Sequence, residues 1–120
     1  NNAEPGKRLQ GVFDAAYLVQ DDPQITEALL ARAAGDRVTS IRSAAIEALA
    51  PQLSSPEVSR QLMTLLGEAE SPLVQLALID LVLRYGSAEQ VEQMRDRVRA
   101  MELYPDLERY IDQSLGREST

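Results

Sequence analysis

The sequence predicts an all-α fold, a right-handed α-solenoid of about three helical hairpins closed by a C-terminal capping helix. Two observations lead to this prediction: apolar residues recur at helical spacing, and the chain repeats itself at an offset of 33 residues. Periods of 20 to 50 residues are typical of stacked units that cannot bury their apolar faces alone. The core should be aliphatic, because the 120 residues include four Tyr, one Phe and no Trp.

The 33-residue period is visible in series of residues that share one chemistry. Pro23 and Pro56 lie one period apart, as do Ile25, Val58 and Val91. Such a series places similar side chains at the same point of successive units. The predicted units cover residues 8–40, 41–73 and 74–106, followed by a cap at 107–115.

Each unit is predicted to be a hairpin of two helices. First helices are expected over residues 7–19, 38–50 and 72–85, and second helices over 22–34, 55–67 and 88–101. Before each second helix, an Asp or Ser stands three positions ahead of a Gln or Glu, the pattern of a capping box. The predicted pairs are Asp21 with Gln24, Ser54 with Glu57, and Ser87 with Gln90.

One segment, SPLVQLALIDLVLRYG at residues 71–86, is apolar almost all round. Its mostly apolar part has about half the length that a membrane span needs, so we predict a buried helix packed on several sides. Asp80 would mark the strip that stays exposed to water. With Glu47 and Asp14, one and two periods earlier, it would form a solvent-facing acidic edge.

The closing helix is predicted from three apolar residues at helical spacing, Leu107, Ile111 and Leu115. Asp112 stands where the earlier units have Ile, and a polar outer face is typical of a terminal cap.

The repeat domain is expected to span residues 7–115, with a linker at residues 1–6 and a disordered tail at 116–120. Because the sequence does not start with Met, we expect a processed chain or an excised fragment of a larger protein.

The composition argues against catalytic and metal chemistry. The chain has no Cys and no His, which removes disulfides, the usual zinc sites and Cys or His nucleophiles. Lys7 is its only lysine, and it has neither a Gly-rich phosphate loop nor a Gly-x-Ser-x-Gly elbow. The closest carboxylate pairs, Asp21 with Asp22 and Glu68 with Glu70, fall at a helix start and in a turn rather than in a shielded cleft. We therefore predict no enzyme activity, no catalytic residue, no cofactor and no metal.

A nucleic-acid partner is also not expected. The net charge is −7, and the one basic cluster, RDRVR at residues 95–99, is interleaved with acids. Glu92 is placed to pair with Arg95, and Asp96 with Arg99, each at a spacing of three. The chain thus lacks the positive field and the stacking platforms that such a role requires.

A resemblance to a known family is carried by the segment TSIRSAAIEALAPQLSSPEV. It resembles the first helix and turn of a HEAT repeat of the short bacterial, bilin-lyase type, whose pattern is Val-Arg-x-Ala-Ala-x-x-Ala-Leu. The matching residues are Ile41, Arg42, Ala44, Ala45, Ala48 and Leu49. The third unit has Gln75 in place of the Arg, and the first departs further at Leu9 and Gly11. The resemblance implies a scaffold, an adaptor or occasionally an enzyme.

The segment at residues 71–86 is also similar to part of the C-terminal HEAT region of bacterial membrane-anchored proteins that resemble zinc-finger anti-sigma factors. That resemblance implies zinc ligands outside this chain and a membrane span before residues 1–6. The repeats would then be tethered without inserting into the membrane themselves, on the periplasmic side. Otherwise a cytoplasmic location is expected.

The second helices of stacked hairpins usually line a concave face, and here their outward positions are polar and of mixed charge. This pattern favours binding of a protein or peptide of complementary charge. The candidate partner-binding residues are Gln24, Glu27, Glu57, Arg60, Thr64, Gln90, Gln93 and Arg97. Two alternatives stay open: a chromophore-handling subunit related to bilin lyases, and a spacer whose concave face binds nothing.

Overall fold

The structure, a computed structural model, describes residues 4–18, 22–101 and 109–114, with no side-chain description at residues 13–18. Within these ranges all regular secondary structure is helical, which confirms the all-α prediction. The helices are α1 (Pro5–Leu18), α2 (Pro23–Gly35), α3 (Thr39–Ala48), α4 (Pro56–Glu68), α5 (Pro72–Tyr85) and α6 (Ala88–Ala100). A 3₁₀ turn at Ala50–Gln52 follows α3, and residues 109–114 are also helical.

The predicted helix bounds agree with these within about two residues. α1 begins at Pro5, so it includes the last two residues of the predicted linker. α3 ends at Ala48, and the chain tightens into the 3₁₀ turn that contains Pro51. Proline has no N–H to donate and disfavours helical geometry in the residue before it, which accounts for the early end.

Two of the three predicted capping boxes are wrong by one residue. The N-cap of α4 is Ser55, whose Oγ accepts from the backbone N–H of Val58 at 3.4 Å, whereas Ser54 is exposed and lies outside the helix. Pro56 causes the shift, because it occupies the first helical position, where its fixed φ and missing N–H fit best.

The same shift occurs at α2, where Pro23 takes the first position and Asp22 is the N-cap. Asp22 accepts from the N–H of Gln24 at 2.9 Å, while Asp21 lies outside the described residues. α6 has no such proline, and its predicted box with Ser87 and Gln90 is confirmed, with each backbone N–H donating to the other side chain.

The corrected register predicts which serine supports α4. Ser55→Ala should lower the free energy of unfolding by about 1 kcal/mol, because an N–H in the first turn of α4 loses its acceptor. Ser54→Ala, next to it, should change the stability by less than about 0.5 kcal/mol. Urea unfolding of both variants measures the difference. A larger loss for Ser54→Ala would restore the register predicted from sequence.

The core lies between a row of first helices and the second helices beside it. α3 packs against α1, α2 and α5, while α5 also contacts α4 and α6, and α4 contacts α6. Ile46 and Ile79, one period apart, are both fully buried. Phe13 stands one period before Ile46, and its side chain is not described.

Equivalent polar side chains tie each later first helix to the second helix before it. Arg42 Nε donates to the carbonyl of Ala33 at 3.3 Å, near the end of α2. Gln75 stands one period later, and its Nε2 donates to the carbonyl of Ala69 at 2.8 Å, just after α4. Gln75 therefore makes the same type of connection as Arg42, one period earlier.

α5 is less enclosed than predicted. Seven of its 14 residues are buried, but Leu73 is 51% and Leu76 is 37% exposed. Neighbouring helices cover its inner sides only, and the described residues leave this outer stripe open.

The prediction that Asp80 lies on a strip exposed to water is correct only in part. Its side chain is one-third exposed, and it accepts a hydrogen bond from the Tyr110 hydroxyl at 2.7 Å.

The predicted acidic edge is described at two of its three residues. Glu47 is exposed, but the side chain of Asp14 lies outside the described residues. Asp80 forms an ion pair with Arg84 at 3.4 Å in addition to its bond with Tyr110. The hydrogen bond to this carboxylate raises the pKa of the Tyr110 phenol, because the protonated phenol is the donor.

The C-terminal segment at residues 109–114 is held against α5 and α6. Ile111 is 2% exposed, and Asp112 forms an ion pair with Arg95 at 2.9 Å. That contact replaces the predicted pairing of Arg95 with Glu92, whereas Asp96 and Arg99 do pair, at 3.8 Å. The other predicted members of this helix, Leu107 and Leu115, lie outside the described residues.

A buried ion pair, not foreseen from the sequence, joins α1 to the α2–α3 turn. Arg8 donates from Nε and from a terminal nitrogen to the carboxylate of Asp36, at 2.8 and 3.2 Å. The side chains are 6% and 1% exposed, respectively. The Arg8 hydrogen bond is the main reason why the pKa of Asp36 lies below its ordinary value.

Candidate functional site

The second helices α2, α4 and α6 leave open hollows on either side of α4. The α2–α4 hollow, of about 490 Å³, is lined by residues that include Glu27, Leu30, Glu57, Val58 and Gln61. The α4–α6 side has two hollows of about 580 Å³ each, which share Ser59 and Gln93. We call the three together the second-helix groove.

The candidate residues predicted from sequence lie on or beside this groove. Seven of the eight are exposed, and Gln90 is half-buried. The residues that line a hollow are Glu27, Glu57, Arg60, Gln90, Gln93 and Arg97. Gln24 and Thr64 are exposed on α2 and α4 but do not line these hollows.

Gln90 is engaged within the fold. Its Nε2 donates to the carbonyl of Leu53 at 2.9 Å and to Ser59 Oγ at 3.2 Å, and its Oε1 accepts from the N–H of Ser87. The side chain therefore caps α6 and ties it to α4. A partner could reach this amide only by breaking contacts that the fold already makes.

The centre of the groove carries a locally neutralised pair. Arg60 and Gln61 both donate to Oε1 of Glu57, and the pair lies along the exposed side of α4. The Arg60 hydrogen bond lowers the pKa of Glu57 and raises that of Arg60, since each charge favours the other. Thr64 is also engaged, because its hydroxyl donates to the Arg60 carbonyl at 3.0 Å.

Among the charged candidate residues, two of opposite sign remain available. Glu27, on α2, and Arg97, on α6, form no ion pair with any described residue. Arg97 lies over Gly67 in the last turn of α4, where a Cβ would stand 3.4 Å from its guanidinium nitrogen. The glycine thus leaves room for this side chain beside the groove.

The apolar floor of the α2–α4 hollow was not predicted. Leu30 is half-buried and Val58 is 4% exposed, and both line the same hollow as the two glutamates. Leu30 stands three residues after Glu27, one helical turn further on, so the helical spacing could have placed it on this face.

Over the described ranges, no three acidic side chains are grouped so that they could hold a metal ion. None of the described helices combines the length and the apolar character needed to cross a membrane. Comparisons with protein-family models, with curated proteins and with solved structures found no match.

Proposed function

We propose that the chain is a non-catalytic interaction domain that binds a segment of another protein along the second-helix groove. The observation that carries this proposal is the pair of unneutralised charges, Glu27 and Arg97, on opposite sides of open hollows. A surface with charges of both signs fixes the orientation and register of a complementary partner. Its open hollows, lined by both polar and apolar side chains, suit a peptide more than an enclosed small molecule.

We also propose that the helices form a HEAT-like α-solenoid, as one part of a larger bacterial regulatory protein. The row of α1, α3 and α5 and the contact of α4 with α6 support this arrangement. The equivalent connections made by Arg42 and Gln75 support it too. In such an arrangement successive second helices present one continuous face.

A charge-reversal pair tests the interaction proposal. The variant Glu27→Arg/Arg97→Glu keeps the net charge at −7 but inverts the two candidate charges that form no ion pair with a described residue. Affinity capture from a lysate of the source organism should recover a protein with the wild type and lose it with this variant. We expect a loss of about tenfold or more, because two complementary contacts become repulsive.

The matched control is Glu47→Arg/Arg37→Glu, which also keeps the net charge and reverses two exposed residues outside the groove. It should recover the same protein as the wild type. Equal recovery by all three proteins, or no specific recovery by any, would contradict binding in the groove. Circular dichroism of each variant establishes that the helices remain intact.

A further inference from the structure

The α2–α4 hollow combines an apolar floor with carboxylates at its rim. Leu30 and Val58 supply the apolar surface, and Pro23 adds to it at the start of α2. Glu27 and Glu57 line the same hollow and are both exposed. Long cationic side chains bury an aliphatic stem against apolar surface while the charged group stays at the water-exposed edge, and this hollow has that distribution of chemistry.

The carboxylates of Glu57 and Glu27 differ in how many of their oxygens can still accept a hydrogen bond. Glu57 uses Oε1 for both Arg60 and Gln61, and its Oε2 accepts no hydrogen bond from the described residues. Glu27 accepts none at either oxygen over the same ranges. A carboxylate with two available oxygens can take the parallel N–H groups of a guanidinium, a geometry that an ammonium group cannot reproduce.

We propose that the α2–α4 hollow takes an arginine side chain from an extended segment of the partner, with its stem over Leu30 and Val58 and its guanidinium against Glu27. This inference rests on the proposed function, since it names the chemistry of the segment that the groove binds. Charge complementarity selects the occupant: the hollow is lined by no cationic side chain and by two carboxylates, of which Glu57 pairs with Arg60 and Glu27 forms no ion pair with a described residue.

Short peptides of defined chemistry test the inference. The probe is an acetylated, amidated Gly-Arg-Gly peptide, and its matched control replaces arginine by citrulline, which has nearly the same shape but no charge. Titration into ¹⁵N-labelled protein should shift the amide signals of Thr26, Glu27 and Leu30 with the arginine peptide. The citrulline peptide should bind at least about fivefold more weakly, because it lacks the ion pairs.

Matched variants distinguish attraction of the peptide by the hollow from attraction by the overall negative charge of the chain. Glu27→Gln and Glu47→Gln both change the net charge from −7 to −6, but only the first alters the hollow. We expect Glu27→Gln to weaken binding of the arginine peptide about two- to fivefold. Glu47→Gln should leave the affinity unchanged. Equal losses for both variants would assign the attraction to net charge and overturn the inference.

The outcomes distinguish this inference from the proposed function. If both peptides shift the same amides equally, the groove binds peptide without need of a cation, so the inference fails and the proposed function stands. If neither peptide shifts these amides, the inference fails, and the affinity-capture experiment decides the proposed function separately. If the shifts fall on the outer surface of α3 and α5 instead, the groove is not the binding site and both fail.

Discussion

Asp36→Asn is expected to lower the free energy of unfolding by about 3 kcal/mol or more, because it removes the negative member of a buried ion pair. The carboxylate is 1% exposed and accepts from Arg8 twice, from the backbone N–H of Val38 at 2.9 Å and from Arg32 at 3.3 Å. The replacement keeps the size of the side chain but turns an amide N–H₂ group or a weaker acceptor toward the buried guanidinium.

Asp22→Asn is the matched control, since it makes the same substitution at an exposed N-cap of α2. Asn caps a helix about as well as Asp, so this variant should lose less than about 0.5 kcal/mol. Denaturant unfolding at pH 7 compares the two variants. Similar small losses for both would show that the Arg8–Asp36 contact does not hold α1 on the α2–α3 turn.

The Arg8–Asp36 ion pair should also make the free energy of unfolding depend on pH. The pKa of Asp36 is lowered in the folded state, chiefly because Arg8 donates to the carboxylate. Its contribution to stability is therefore fully present above the unfolded value of about 3.9 and is lost as the pH falls through the lower, folded pKa. The difference in unfolding free energy between wild type and Asp36→Asn should stay constant from about pH 5 to 8 and shrink below about pH 4.

The helices could be predicted because their signals are local. Apolar spacing, prolines and cap residues act within one or two turns, so the helix bounds follow from the printed sequence within about two residues. The capping boxes before α2 and α4 failed because two local signals compete. A proline at the first helical position fixes the N-cap at the residue before it. Ser55 is both a favoured cap residue and the residue before Pro56, whereas Ser54 is only a favoured cap residue.

Contacts between distant residues could not be predicted in this way. Arg8 and Asp36 are 28 residues apart, and Arg95 and Asp112 are 17 apart, so neither pair matches the 33-residue period. The period placed seven of the eight candidate site residues on the surface, because an outward position in one unit is outward in the next. The eighth, Gln90, lines a hollow but is half-buried, because its side chain caps α6 and donates to Ser59 on α4.

Leu78→Ala should be among the most destabilising single substitutions in α5, with a loss of roughly 2–5 kcal/mol. Leu78 is 2% exposed, and its helix packs against α3, α4 and α6. Truncation removes buried apolar contact and leaves a cavity that several rigid neighbours prevent from closing. Urea unfolding measures the loss.

Leu76→Ala provides the comparison, since it makes the same chemical change two residues away on the same helix. Leu76 is 37% exposed on the outer stripe, so water already reaches part of its side chain. We expect a loss below about 1 kcal/mol, because less apolar area is uncovered and no enclosed cavity forms. A loss at Leu76 as large as that at Leu78 would mean that another surface covers the outer stripe of α5 in solution. The pair of variants therefore tests whether α5 is buried on its inner side alone.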